Sequence, residues 1–174
     1  YSDVKRYRAM FSDDNDNNNL SNTWVANCYM VDPTATSYCF DATVVGNGNI
    51  GYVAEENFYP QNPVIIPISA EILWEDVSGV ISDIMLQNGR VYFMTNDIEG
   101  NALVAVKDAD NRILWSWHIW VTDTPEEHTY VTNEGKTFVV MDRYLGSTSG
   151  VVAENGGALY YQWGRKDPFK FNGS

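Results

Sequence analysis

Two histidines, two cysteines and a surplus of carboxylates are the groups in this 174-residue chain that could make or break bonds. His118 lies in the run Trp115-Ser116-Trp117-His118-Ile119-Trp120, and a hairpin turning at Asp108-Ala109-Asp110-Asn111 sets it against Asn101. An imidazole so placed reads as a buried group hydrogen-bonded to a neighbour, rather than a catalytic base or metal ligand. His128 falls in a polar run opened by Glu126 and Glu127. Cys28 and Cys39 flank the turn-like Asp32-Pro33-Thr34-Ala35, and a loop at Pro33 and Thr34 would bring them opposite each other across a hairpin. That register allows a cross-strand disulfide in an oxidising compartment, the alternative being two buried free thiols that pack as small apolar groups. Neither cysteine has a histidine or second cysteine nearby at metal-ligand spacing, so zinc is not expected.

The remaining motifs that could carry chemistry are incomplete. Asp14, Asp16 and Asn18 match the first ligands of an EF-hand loop, but Asn19 stands where the turn glycine belongs and Val25 where the bidentate glutamate belongs. A solvated linker is the better reading. No serine sits in a nucleophile elbow, and no glycine-rich phosphate loop precedes a helix. Glu55, Glu56, Glu71, Glu75 and Asp76 could pair for glycoside hydrolysis, yet proximity among so many acids is expected by chance. The chain therefore reads as non-enzymatic, with no catalytic residue, cofactor or metal. Its candidate ligand-binding residues are aromatic: Trp120, Tyr160, Tyr161 and Trp163, whose ring faces would stack on sugars if exposed.

The elements that must position these residues are strands. From Trp24 onward short β-type runs alternate with turn clusters: 24–31, 38–45, 64–74, 80–86, 90–94, 102–106, 112–121 and 137–141. No convincing amphipathic helix is present, and the pattern predicts an all-β, antiparallel two-sheet sandwich with an irregular C-terminal extension. Asn88-Gly89 marks a type I′ hairpin that sets Leu86 opposite Val91 and Ile84 opposite Phe93. The second hairpin pairs Val106 with Ile113, Val104 with Trp115 and Ala102 with Trp117, and carries apolar residues on both faces. Such a ribbon is either a central strand pair or one side of a binding surface.

Composition bounds the rest. With 44% hydrophobic residues, six Trp and eleven Tyr, there is ample apolar area for a core. Eleven basic against 23 acidic side chains give a net charge of −12, which repels nucleic acid and anionic lipid. No stretch reaches the length of a membrane span. The chain begins at Tyr1 without Met or an apolar leader, and so reads as a processed or excised piece. Residues 1–23, with the run SDDNDNNN, read as a polar linker or arm; 24–124 as the sandwich; and 125–174 as a strand plus extension.

Three segments resemble a domain recurrent in large surface proteins of Bacteroidetes, several of them fimbrillin-like or fimbrial-tip-like: ANCYMV at 26–31, NALVAVKDADNRILWSWHIWVTD at 101–123, and 140–169 with its MDRYLG and ALYYQWGRKDPF pieces. The resemblance implies an Ig-like or fimbrillin-like sandwich, lipoprotein export to the outer-membrane surface, and a role in adhesion or pilus architecture. Its implied partners are other surface or pilus subunits; the alternative, which the aromatic residues suggest, is a carbohydrate-binding accessory module for host or dietary glycans. The last two pieces are also similar to the opening of a Fibrobacter-type major paralogous domain, which makes 125–174 the start of a truncated second module. Tyr144 stands where the pattern would place Asn, and Cys39 is an additional thiol.

Overall fold

The computed structural model describes residues 18–22, 25–46, 48, 63–150 and 158–170. The first two ligand positions of the EF-hand-like run, together with Trp24, Glu55 and Glu56, lie outside them. Among the described residues the chain is all-β, with nine strands: β1 (Cys28–Val31), β2 (Ser37–Asp41), β3 (Ser69–Glu75), β4 (Ile81–Gln87), β5 (Arg90–Thr95), β6 (Gly100–Lys107), β7 (Ile113–Val121), β8 (Glu127–Val131) and β9 (Thr137–Met141). No described helix is long and apolar enough to cross a membrane. The strands form a four-stranded sheet in the order β1-β7-β6-β3, a three-stranded sheet β2-β5-β4, and the separate pair β8-β9.

Period-two alternation decides which side chains enter the common core. Tyr29 and Val31 of β1, Ala102, Val104 and Val106 of β6, and Trp117, Ile119 and Val121 of β7 meet Phe40, Ile81, Val91 and Phe93 from the three-stranded sheet. Phe40 joins the two sheets directly, its ring centroid 5.2 Å from that of Tyr29 and 5.0 Å from that of Trp117.

The hairpins show where local chemistry sets register and where it does not. Asn88 and Gly89 both have positive φ, 51° and 75°, as a type I′ turn requires. Leu86 faces Val91 as the turn predicts, but a bulge between Ser82 and Met85, with Asp83 at φ 52°, breaks the expected Ile84–Phe93 pairing. In the β6–β7 hairpin a register shift at Lys107 sets Val106 opposite Trp115, Val104 opposite Trp117 and Ala102 opposite Ile119. The expected pairing is thus displaced by two residues. A two-residue slip keeps every side chain on its predicted face.

The expected hairpin between the cysteines does not form. β1 runs parallel to β7, with Cys28 opposite His118, whereas β2 pairs antiparallel with β5, with Cys39 opposite Tyr92. The intervening turn is tied to the loop after β5: Asp97 donates its amide to Pro33 O and accepts the Ala35 amide. It therefore carries the chain from one sheet to the other. Each cysteine points away from the common core in its own sheet and neither is in a disulfide, so the disulfide reading is corrected.

β8 is the strand that sequence reading passed over, because its polar start, Glu127-His128-Thr129, resembles a loop. Upstream, residues 18–22 lie along β2: Asn18 Nδ2 donates to Ser37 O and the Leu20 amide to Cys39 O.

Candidate functional site

The outer face of the β1–β7–β6 sheet holds a chain of polar side chains that sequence reading did not assemble. Gly100, at φ 157°, lets the Asp76 carboxylate approach closely; a Cβ there would lie 2.7 Å from Asp76 Oδ1 and 2.6 Å from Val80 Cγ2. Asp76 accepts both the backbone N–H and the Nδ2 of Asn101, each at 2.6 Å, and Asn101 Nδ2 also donates to Gly146 O at 2.8 Å. With its amide nitrogen so occupied, Asn101 offers Oδ1 to His118 Nε2 at 2.8 Å. His118 Nε2 is therefore the protonated nitrogen, and Nδ1 is left to accept from Cys28 Sγ at 3.2 Å.

Burial tunes this pair toward neutrality. His118 is only 3% exposed. Burial pulls its imidazole down to about 4, against the opposing pull of Asp76 and Asp167. Cys28 keeps an open side to solvent while its sulfur lies against the buried ring, and burial pushes the thiol up to about 12. Tyr161 lies near enough that burial and the Cys28 sulfur together raise its phenol to about 12. The resting site is a neutral S–H donating to a neutral imidazole. Cys28, Asn101, His118, Gly146 and Tyr161 come from stretches far apart in the chain.

The outer face of β7 is covered by the C-terminal segment. Ser116 donates to Asp167 Oδ2 at 2.8 Å, and Lys166 Nζ donates to Ser116 O at 2.9 Å while lying 4.6 Å from the centroid of the Trp115 ring. Trp120 is only 4% exposed and cannot present a ring face, which removes it from the stacking candidates. Tyr160, Tyr161 and Trp163 are 57%, 46% and 94% exposed. Tyr160 bridges to Phe169, and the Phe169 ring in turn lies under the Arg165 guanidinium. No group of three or more potential ligands among the described residues could hold a metal ion.

A second surface is apolar. Among the described residues β8 and β9 pair only with each other, and all of their residues are exposed, including Tyr130, Val131, Phe138, Val139, Val140 and Met141. The segment after β9 is nonetheless held firmly. Arg143 bonds Asp142 and reaches Asp123 and Thr122 at the end of β7, which raises its own basicity and holds the Asp142 carboxyl below the usual range.

Comparison with family models, with curated proteins and with solved structures finds no match for this chain.

Proposed function

We propose that this chain is a non-catalytic β-sandwich module, of the Ig-like or fimbrillin-like kind, in a cell-surface adhesion or fimbrial protein exported to the outer-membrane surface. It joins neighbouring surface subunits through the β8–β9 hairpin. The observation that carries the reading is the hairpin itself: a two-stranded ribbon with apolar residues on both faces and, among the described residues, no third strand. A lone pair of strands is marginal in water, and its open edges accept a further strand through main-chain hydrogen bonds. The occupant is an extended strand of another surface subunit, whose apolar side chains would cover Tyr130, Phe138 and Val140. Val139→Pro removes an amide from one edge and should abolish co-assembly with surface subunits, measured by sedimentation, while the melting temperature of the isolated chain changes little. Unchanged co-assembly and unchanged surface attachment in cells carrying this variant would sink the reading.

The exposed Trp163, with Tyr160 and Tyr161 nearby in sequence, supports a second reading, a carbohydrate-binding accessory surface. A glycan-array signal that disappears in Trp163→Ala would carry it. Silence across a broad array would remove it.

A further inference from the structure

We propose that Cys28 is a covalent attachment point, a thiol that opens a disulfide on another molecule, with His118 as its proton acceptor and Asn101 and Asp76 as the positioning residues that hold the imidazole. The geometry has the three parts that nucleophile activation needs: a nucleophile, a base within hydrogen-bond reach, and a third group that orients the base. Cys28 Sγ lies 3.2 Å from His118 Nδ1, and His118 Nε2 lies 2.8 Å from Asn101 Oδ1. Asn101 is itself fixed by Asp76 and Gly146 O, so the imidazole cannot turn its other nitrogen toward the sulfur without breaking that chain of bonds. Cys28 is exposed on edge strand β1, whereas Cys39 is buried.

Sulfur is favoured over a carbonyl as the target, because displacement at sulfur develops no oxyanion and asks only for access and a proton acceptor. In the step, the Cys28 S–H proton passes to His118 Nδ1 as Sγ attacks one sulfur of the incoming disulfide. A new S–S bond forms and the old one breaks. The departing thiolate takes the proton from His118, so Cys28 is oxidised, the leaving sulfur is reduced, and no further oxidant is required. The charged and titratable groups facing the pair are Asp76 from the loop after β3, and Tyr161 and Asp167 from the C-terminal segment. That the natural disulfide belongs to a surface protein rests on the reading above. The reactivity does not.

The test is the rate at which the Cys39→Ser chain releases thiopyridone from dithiodipyridine between pH 6 and 9. A thiol that hands its proton to His118 reacts at a rate that changes by less than about threefold over this range, whereas a thiol reacting through its free thiolate gains about tenfold per pH unit. In His118→Gln, with the fold checked by circular dichroism, the rate at pH 7 should fall by about tenfold or more, and the steep pH dependence should return. The same chain carrying Cys28→Ser should release nothing. A tenfold-per-unit slope in the chain that retains His118, or labelling of Cys28 only in denaturant, would overturn the proposal, and the wild-type histidine profile decides even if the Gln variant fails to fold. Loss of co-assembly in Val139→Pro with this reactivity intact would concern the hairpin alone, which keeps the two readings separable.

Discussion

The β6–β7 and β8–β9 ribbons are both antiparallel pairs with apolar residues on both faces, and they meet opposite fates. In β6–β7 one face enters the common core and the other is covered, so that Leu103, Ala105, Trp117 and Trp120 are all buried. In β8–β9 nothing described covers either face, and Phe138 and Val139 remain more than half exposed. Apolar patterning on two faces therefore states a demand for two covers without saying whether the same chain supplies them. The first ribbon finds its covers in the three-stranded sheet and the C-terminal segment. The second finds no cover among the described residues.

That contrast can be broken most severely at Trp117, which is fully buried. Trp117→Ala should cost about 3–5 kcal/mol in urea unfolding. Next comes acid. The folded chain keeps His118 neutral down to about 4, while an unfolded imidazole protonates near 6.5. Between those values the unfolded state binds the extra proton, so this contribution is complete above about pH 6.5 and is lost as pH falls toward 4, amounting to about 3 kcal/mol. Unfolding midpoints measured from pH 7 to 4 should show this decline, and His118→Gln should flatten it.

Gly100→Ala is expected to cost about 1–3 kcal/mol, because its new methyl would meet Val80 and Asp76 and loosen the bonds to Asn101. At the small end, Phe138→Ala on the second ribbon should change the stability of the isolated chain by no more than about 0.5 kcal/mol. A loss comparable to that of Trp117→Ala would show that the hairpin is covered within the chain, and the contrast would fail.

The all-β class was legible because strand alternation and turn residues are local signals. Asn88-Gly89 encodes its own dihedrals, so the pairing next to it could be read directly, and only the bulge at Asp83, which has no residue signature, escaped. The β6–β7 register slipped by two because the irregularity at Lys107 is a property of the closed hairpin, not of its turn residues. His118 stands opposite Leu103 rather than Asn101 because of that slip, yet it still bonds Asn101, since a diagonal neighbour on the same face is within reach. The Cys28–His118 contact was invisible because β1 pairs in parallel with a strand far along the chain, and parallel pairing leaves no turn between its members to read. Trp120 is buried, and an aromatic residue on the outer face of a strand carries no local sign of whether that face will be covered.

The parallel docking of β1 also carries a kinetic consequence. Cys28 and His118 are 90 residues apart in sequence, so their hydrogen bond closes a very long loop and can form only after β7 exists. Until then the sulfur is an ordinary cysteine thiol, with a pKa of about 8.5 and no imidazole beside it. The same sulfur is thus open to oxidation as an ordinary thiol while the chain is being made, and gains the imidazole beside it only once β1 docks on β7. A thiol that reports the completed fold in this way distinguishes a finished molecule from an unfinished one.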